Sequence, residues 1–442
     1  MKYQSSLKLA AATQGSVVGT HCQVCDSTDL KSVLFVGYLP PVNTMPKVGT
    51  PANEQPSYPA EVLHCQRCQL FQIGLTVDPA ILFPPSYPYT SGTTKILREN
   101  FAELYQEVQK LYPITEKDLV VDIGSNDGTL LSNFHSHGHR VCGIEPTNAG
   151  NLANQKGIKT HISFFNDTAV NKVIADSGKA KVITIANCFA HMENIHGIME
   201  GVLSLLTEDG VFITESHYLV PLLKTLQYDT VYHEHLRYYS VTALKYLLAM
   251  HGLEIIHVKP IPTHGGSIRV YAGRKGKYPV QKSVEATIQE EKIAITPKAL
   301  RAFKDQVTQS KLELLAMLKD IKANGEKIYG IGAPSRSSTL INYVGLDDGI
   351  IDAVLEIDGS YKIGKYIPGT LIPVKEESIL FKDQPEYALL FSWHIADELI
   401  PKLQAKGFKG KFIVPLPTPK IIDTKTATRK TPSVKRPNEH AA

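Results

Sequence analysis

The segment 119–131, LVVDIGSNDGTLL, restricts the fold of this chain more than any other. Its short apolar, β-branched run ends at Gly124 and a helical pattern begins near Thr129, which predicts a strand, a tight turn and a helix. Glycines in such a turn let a ligand approach the backbone, and the helix start presents unpaired N–H groups. A second apolar run, 140–144, precedes Glu145, which could accept hydrogen bonds from two ribose hydroxyls. A nucleoside-type ligand is therefore expected here.

The composition of the turn indicates the kind of nucleoside. It reads Gly124-Ser-Asn-Asp-Gly128 instead of G-x-G-x-x-G, and its acidic side chain is unfavourable beside a pyrophosphate. A cationic nucleoside such as S-adenosylmethionine (SAM) fits better, with Asp122 or Asp127 holding its amino group. The pattern also occurs in α/β proteins that do not methylate, so an ordinary strand-to-helix turn is the alternative. The candidate cofactor-binding residues are Asp122, Gly124, Asn126, Asp127, Gly128, Glu145 and Asn187.

Strand and helix patterns alternate from residue 119 to residue 216, which is typical of a parallel sheet covered by helices on both faces. Ligands of such sheets bind at the carboxyl ends of the strands, where Gly124, Glu145, Asn187 and Glu215 fall. A second strand and glycine turn follows at 327–333, after a long, charged helical stretch. The expected fold class is α/β, with two Rossmann-like domains.

Two C-x2-C pairs mark the N-terminal region, Cys22 with Cys25 and Cys65 with Cys68. In a reducing compartment, four thiolates so spaced are typical of one tetrahedral zinc ion. All four positions would be filled by protein, so the predicted ion is structural. The alternative is a set of four unligated or redox-active cysteines.

Length and composition set the number of domains and exclude some partners. The 442 residues predict about three domains, which we place at 1–84, 85–280 and 281–420, and the basic tail 421–442 is expected to be disordered. A formal net charge of only +4 argues against a nucleic-acid partner. No apolar run reaches the roughly 18 residues of a membrane span, and the apolar N-terminal segment is too short for a secretory signal. We expect a cytoplasmic monomer or weak dimer that does not bind a membrane.

The densest group of reactive side chains lies in 227–240, QYDTVYHEHLRYYS. An extended conformation would place His233 and His235 on one face and Tyr232 and Glu234 on the other. A histidine here could act as a general base, oriented by the tyrosine or the glutamate. The alternatives are an H-x-H metal site without evident further ligands and a buried polar cluster that satisfies itself.

Three further segments carry candidate residues. His191 directly follows a strand end and could face the same ligand or have a structural role. His264 begins a glycine turn that suits a polar substrate or a tight hairpin, and Tyr87 is another candidate substrate contact. The turn Gly330-Ile-Gly-Ala-Pro-Ser-Arg336 is close to a dinucleotide fingerprint, and Arg336 would suit a diphosphate, although a structural turn is nearly as good an interpretation.

Over residues 20–418 the chain resembles the sugar C-methyltransferases that act on nucleotide-linked 4-keto-deoxysugars. The matching segments, in the order of that family, are the paired cysteines, VDIGSNDGTLL, GIEPTN, ANCFAHMEN, YHEHLRYYS, THGGSIRVY, GIGAPSRSSTLINYVG and YKIGKYIPGTLIPV. The resemblance implies a zinc-binding N-terminal domain, a central SAM-dependent methyltransferase domain and a C-terminal α/β domain that contacts the nucleotide sugar. It also implies His235 as the base, with Tyr232, Glu234, His191 and Asn187 lining the sugar pocket.

The implied reaction is SAM-dependent methylation at C3 of a dTDP- or GDP-linked 4-keto-6-deoxysugar, through an enediolate. The family's C-terminal turn usually reads G-A-x-A-K-G, whereas this chain has Ala333-Pro-Ser-Arg336-Ser337. Arginine at this position retains the charge and adds a fork that suits phosphate. The alternatives are a zinc-containing NAD-dependent nucleotide-sugar oxidoreductase that uses the Gly330 turn and a non-catalytic scaffold that binds nucleotide sugars.

Overall fold

The computed structural model describes residues 15–83, 91–93 and 95–423 of the chain. The N-terminal region is built from antiparallel strands, and the turn that bears Cys65 and Cys68 connects two neighbouring ones. Two of these strands form a separate pair, β1 with β5. The elements are β1 Ser16–Val18, β2 Leu30–Leu39, β3 Tyr58–Cys65, β4 Phe71–Ile73, β5 Leu75–Val77 and α1 Pro79–Leu82.

The central region alternates strands and helices as the sequence predicts. All five residues of its first strand are buried, which explains the continuous apolar run at 119–123. The elements are α2 Lys95–Leu111, β6 Leu119–Ile123, α3 Thr129–His135, β7 Arg140–Ile144, α4 Ala149–Gln155, β8 Thr160–His161, α5 Asp167–Ser177, β9 Ala180–Ala186, α6 Ile195–Leu205, β10 Leu206–His217, α7 Leu219–Lys224, β11 Arg237–Tyr238, α8 Val241–Met250, β12 Leu253–Ile261 and β13 Ser267–Arg274.

Seven of these strands form one sheet in the order β12-β13-β10-β9-β6-β7-β8. The run from β10 to β8 is parallel, but β13 is antiparallel to both of its neighbours. The short connection 262–266 forces this reversal, because a parallel neighbour would need a long crossover. Strand β11 belongs to the central region of the sequence but is not part of this sheet. It pairs with β4, so the N-terminal sheet has the order β11-β4-β3-β2.

The C-terminal region forms a six-stranded sheet in the order β16-β15-β14-β17-β18-β19, with only β19 antiparallel. The predicted helical stretch is two helices, and Thr296 caps the second while Pro297 occupies its first turn. The elements are α9 Lys282–Ala294, α10 Pro297–Ala323, β14 Ile328–Ile331, α11 Ser335–Val344, β15 Ala353–Glu356, β16 Val374–Glu376, α12 Ser378–Asp383, β17 Tyr387–Leu390, α13 Ala396–Ala405, β18 Lys411–Val414 and β19 Lys420–Ile422.

Two observations concern the ends of the described chain and its helices. Strand β19 includes residues 421–422, so the tail expected from residue 421 begins later than the composition indicates. The rest of that predicted tail, 424–442, lies outside the described residues, as does Tyr87. None of the described helices combines the length and apolar composition that crossing a membrane requires.

Arg269 on β13 joins helix α2 to the central sheet. Its guanidinium is fully buried, and its Nε donates to Glu215 Oε1 at 2.6 Å. The Nη1 donates to Glu103 at 2.8 Å and Glu107 at 2.7 Å, and the Nη2 donates to Asn100 Oδ1 at 2.9 Å. Three carboxylates therefore surround one cation, and the position of α2 over the sheet depends on it.

We predict that Arg269→Met destabilises the protein by about 3–5 kcal/mol, because it leaves the buried Glu215 carboxylate without its cation. Urea unfolding followed by circular dichroism measures the change. The control is Arg274→Met on the same strand, where an exposed pair with Glu208 at 3.5 Å contributes only about 0–1 kcal/mol. Equal losses in the two variants would contradict the role given to Arg269.

Candidate active site

The turn after β6 wraps tightly around the start of α3. Gly124, Asn126 and Gly128 all have positive φ, at 74°, 51° and 76°. A Cβ on Gly124 would lie 2.6 Å from the Cys188 sulfur, so this position needs glycine for space as well as conformation. The amide nitrogens of Gly124 and Ser125 donate to Ile144 O, at 2.8 Å and 3.2 Å, and hold the turn against β7.

Three predicted cofactor-binding carboxylates gather around this turn. Glu145 accepts from the Asn126 amide at 3.0 Å. Asp127 accepts from the Thr129 hydroxyl at 2.7 Å, at the start of α3. Asp122 accepts from the Thr184 hydroxyl at 2.6 Å, and its burial, opposed by that bond, raises its pKa to about 7. This acidic, oxygen-rich edge suits a ligand with a positive charge, an amino group and hydroxyls, which is the chemistry of SAM.

Asn187 ends β9 beside the same turn. Its amide donates to Glu215 O at 2.9 Å, and its φ of 56° sends the chain towards Gly124. The next residue, Cys188, provides the sulfur that packs against that glycine. The structure therefore brings Asn187 to the carboxyl edge of the sheet together with the other candidates, where the switch-point rule expects ligands.

The YHEH segment is a turn, so the two faces that an extended conformation would give do not form here. The His235 amide donates to Tyr232 O at 3.0 Å, which brings the two rings to 4.1 Å between centroids. His233 points elsewhere, with its Nε2 3.2 Å from Pro59 O and its ring 5.6 Å from Tyr58. The two histidines therefore do not share a face, and no H-x-H metal site forms.

His235 has the geometry of a neutral base. Its Nδ1 lies 2.7 Å from Thr230 O, so the Nδ1–H donates to that carbonyl and Nε2 keeps its lone pair. Burial, and then the neighbouring histidines 191 and 217, lower the pKa of His235 well below its ordinary value. The ring is therefore uncharged at neutral pH and can accept a proton.

The rings around His235 come from three separate segments. His191 lies 5.0 Å from it and stacks on Phe83 at 5.7 Å. Burial, and then the charge of His264, lowers the pKa of His191 to about 4. His264 has φ 56° and ψ 21°, and its buried Nε2 has no hydrogen-bond partner among the described residues. Burial, and then Arg336, lowers the pKa of His264 to about 4.

His217 belongs to this cluster although the sequence analysis did not select it. Its ring lies 6.2 Å from that of His235, and its Nε2–H donates to His264 O at 2.9 Å. Burial lowers the pKa of His217 to about 3, and the charge of Arg336 is the next largest cause. The available signal was its position at the carboxyl end of β10, two residues after Glu215.

Glu234 lies at the junction of the three regions of the chain. Its Oε1 accepts from Asn43 Nδ2 at 2.6 Å, on the N-terminal side. On the C-terminal side, burial raises the pKa of Tyr361 and the charge of Glu234 raises it further. The charge of Glu234 also contributes, after burial, to the raised pKa of Tyr232 in the histidine cluster, and the assignment of Glu234 to catalysis stays a prediction.

Arg336 makes contacts that the sequence analysis did not predict. Its Nη2 donates to Asp229 Oδ1 and to Gln227 Oε1, both at 3.1 Å, and its Nε lies 3.0 Å from Asp229 Oδ2. Its Nη1 lies 2.7 Å from His394 Nδ1, and its guanidinium stacks over Trp393. Most N–H donors of Arg336 are therefore bonded to protein groups, and few remain for a diphosphate. The diphosphate contact stays a prediction.

The glycine turn after β14 is shaped by packing. A Cβ on Gly330 would lie 2.4 Å from the ring of Phe391, which explains the first glycine. The Ala333 amide donates to Glu356 Oε1 at 2.5 Å, so an N–H that could face a pyrophosphate is already bonded. The geometry gives no support to a dinucleotide at this turn.

The four cysteines of the paired motifs come together in one buried cluster. All four sulfur atoms lie within 4.8 Å of one another, with Cys22 3.4 Å from Cys68 and Cys25 3.5 Å from Cys65. Tetrahedral zinc with Zn–S bonds of about 2.3 Å separates its sulfurs by about 3.8 Å. A hydrogen bond from Cys68 lowers the pKa of Cys22 to about 5, while burial raises the pKa of Cys25 to about 12. A divalent cation would allow all four to ionise.

We predict that Cys25→Ala loses bound zinc and lowers the melting temperature, because three thiolates hold the ion less tightly than four. Zinc content by mass spectrometry and thermal unfolding check this. Cys142→Ala is the control, since Cys142 is equally buried but lies outside the cluster. Full zinc content in Cys25→Ala would contradict the assignment.

We predict that Gly124→Ala weakens SAM binding by about tenfold, or about 1.4 kcal/mol, because the added methyl group pushes the turn off Cys188. Calorimetric titration measures it. Gly157→Ala is a matched control, because its φ of 81° carries the same backbone strain while its Cβ would meet nothing within 4 Å. If both variants bind SAM normally, the turn does not hold the cofactor.

Three protein families match consecutive parts of the chain. Residues 22–83 match the family described as "Putative zinc binding domain", residues 96–258 match "Methyltransferase domain" and residues 262–417 match "C-methyltransferase C-terminal domain". Their order is that of the three structural regions. The matches confirm the predicted α/β fold class, with its zinc-binding domain, methyltransferase domain and second C-terminal domain.

Individual proteins are also similar to this chain, over different shares of its length. The C-methyltransferase NovU of Streptomyces niveus is 31% identical over 413 residues, which cover 92% of this chain and 97% of NovU. A "Putative methyltransferase" of Dictyostelium discoideum is 27% identical over 169 residues, or 37% of this chain and 61% of that protein. The crystal structure of the plantazolicin methyltransferase BpumL, in complex with an analog and SAH, covers 45% of this chain and 94% of its own, at 12% identity and a TM-score of 0.35.

The extent of the match to NovU decides the family. It spans 92% of this chain and 97% of NovU. The predicted cofactors, SAM and zinc, are confirmed by the methyltransferase and zinc-binding families and by the four-cysteine cluster. The chain therefore belongs to the C-methyltransferase family, as a SAM-dependent enzyme with an N-terminal zinc-binding domain.

Proposed function

We propose that this enzyme methylates C3 of a nucleoside-diphosphate 4-keto-6-deoxysugar, linked to dTDP or GDP, in branched deoxysugar biosynthesis. The observation that carries the proposal is the state of His235. Its Nδ1–H is bound to Thr230 O, which leaves a neutral Nε2 beside the carboxyl edge that bears the SAM turn. A carbon next to a ketone is the kind of acceptor that such a base can activate.

The chemistry follows from the charges of the cluster. The C4 ketone acidifies the C3 proton, which His235 Nε2 removes. Burial raises the pKa of Tyr232 well above its ordinary value, so its hydroxyl keeps its proton and can donate to the enediolate oxygen. His191 is neutral and can donate to the same oxygen. SAM, when bound at the β6 turn, would supply the electrophilic methyl group: the bond from C3 to the methyl carbon forms as the sulfonium S–C bond breaks, the C4 ketone re-forms and S-adenosylhomocysteine leaves.

The remaining assignments complete the proposed site. We assign the domains as 1–84, 85–280 and 281–420, with the nucleotide held against the third. Asn187 and His264 line the sugar pocket, and Tyr87 and Arg336 stay predicted substrate contacts. Glu145 binds the ribose of SAM, while Asp122 or Asp127 binds its amino group.

The alternative of an NAD-dependent oxidoreductase is not supported. It depends on the Gly330 turn, where Phe391 accounts for a glycine and Glu356 already accepts an amide N–H. The family matches are to methyltransferase domains.

We predict that His235→Ala lowers turnover by about 100- to 10,000-fold, the usual contribution of a general base, while SAM still binds. Purified protein is incubated with SAM and either dTDP- or GDP-4-keto-6-deoxyhexose in deuterated water, and the product is analysed by mass spectrometry. The expected product gains one methyl group, and the substrate exchanges its C3 proton. His135→Ala, at an exposed position in α3, is the control.

Two results would separate the parts of this proposal. Normal turnover by His235→Ala would show that another group is the base. Tight SAM binding by the wild type without methyl transfer to either carrier would show that the acceptor belongs to another class.

The pH dependence provides an independent check on His235. Its lowered pKa means that the neutral, active form is present above that pKa and is lost only as the pH falls through it. Histidines 191, 217 and 264 and Arg336 all face the cluster and oppose its protonation. The assay uses saturating SAM, because Asp122 in the SAM turn has a pKa raised to about 7 and its protonation would otherwise weaken SAM binding in this range. We predict that kcat/KM for the sugar stays constant well below about pH 6.5, the ordinary histidine value. A loss of activity centred at that value would contradict the prediction.

A further inference from the structure

A buried ion pair connects the C-terminal region to the loop before His235. Asp229 is fully buried, and Arg336, at the start of α11, holds both of its carboxylate oxygens. Trp393 Nε1–H donates to Asp229 Oδ2 at 2.8 Å. Arg336 and Trp393, both from the C-terminal region, therefore bind one carboxylate of the central region. Because Asp229 is fully buried, water cannot replace either contact.

The contact between Arg336 and Asp229 is linked to His235 through the hydrogen bonds of the turn 227–230. The Arg336 Nη2 also donates to Gln227 Oε1, so Arg336 holds two residues of the turn 227–230. The Thr230 amide and hydroxyl both donate to Gln227 O, at 3.1 Å and 2.7 Å. The Val231 amide, which shares a peptide plane with the Thr230 carbonyl, donates to Tyr228 O at 3.0 Å and holds that plane. The Thr230 carbonyl then accepts the Nδ1–H of His235 at 2.7 Å.

Helix α11 reinforces the same segment. The Thr339 hydroxyl donates to Val231 O at 3.3 Å, one turn along the helix from Arg336. The segment 227–231 is therefore bonded to α11 at both of its ends. A shift of Arg336 would move the carbonyl that selects the His235 tautomer.

We propose that Arg336 is a positioning residue for His235 and acts through Asp229 and Thr230. The inference rests on the proposed function only for the statement that His235 is the base. Docking of the C-terminal region is what presents Nε2 to the substrate, so this region takes part in the proton transfer without touching the reacting atoms. Arginine is needed, because its planar guanidinium meets Asp229 and Gln227 through one nitrogen and His394 through another, whereas lysine offers a single nitrogen.

The first experiment needs neither substrate nor cofactor. Nitrogen-15 histidine spectra of the full-length protein report the tautomer of each ring, and His235→Gln identifies the His235 signals. We expect the wild type to show protonated Nδ1 and unprotonated Nε2. In Arg336→Met and Asp229→Asn we expect a mixture of tautomers at His235. Unchanged His235 signals in both variants would overturn the proposal.

The second experiment measures catalysis with the substrate that the wild type methylates. We expect Arg336→Met to lower kcat by about 100-fold, as misplacement of a reacting group does, with little change in KM for SAM. Arg336→Lys should fall between Arg336→Met and the wild type. Arg301→Met, an exposed arginine on α10, is the control and should match the wild type. A rise in KM for the sugar with unchanged kcat would overturn the proposal and return Arg336 to substrate binding.

The two experiments distinguish this proposal from the proposed function. If His235→Ala turns over normally, His235 is not the base, and the spectra still decide whether Arg336 sets its tautomer. If His235→Ala is inactive and the spectra of Arg336→Met are unchanged, the base assignment stands and the positioning role is wrong. Circular dichroism on each variant checks that the fold is retained.

Discussion

The buried pair of Asp229 and Arg336 holds the candidate active site together across two regions of the chain. Two charges out of water are stable only when their remaining hydrogen-bonding groups are also satisfied. Here Trp393, Gln227 and His394 complete the set around the pair. Because these partners come from both regions, the pair joins the two regions beside the histidine cluster.

The central sheet supplies the other half of the site. Its parallel strands end at one edge, which collects the acidic turn after β6, Glu145 after β7 and Asn187 after β9. The carboxylate-rich edge and the neutral imidazoles differ in charge and therefore suit different parts of the reaction. The acidic edge suits a cationic cofactor, and the imidazoles, kept uncharged by burial and by Arg336, suit proton removal.

The C-terminal region shows how a Rossmann-like arrangement can serve contacts within the protein. Its strand order and glycine turn match those of dinucleotide-binding domains. The turn, however, packs against Phe391 and bonds to Glu356, while Arg336 in the first turn of α11 binds Asp229. The guanidinium of Arg336, which could bind a phosphate at this position, is thus paired with the carboxylate of Asp229. A glycine pattern cannot distinguish these uses, because both require a close approach to the backbone.

The sequence by itself determined the local elements and their class. Apolar runs ending in glycine predicted β6 and its turn, and cysteine spacing predicted the four-sulfur cluster, because both depend on neighbours in the chain. Tertiary structure alone decided the course of YHEH, the inclusion of His217 and the pairing of Asp229 with Arg336. These depend on side-chain directions set by turns and on partners as far apart as 107 residues, which no local periodicity encodes. The family resemblance selected His235, but only packing revealed which of its nitrogens is free to act.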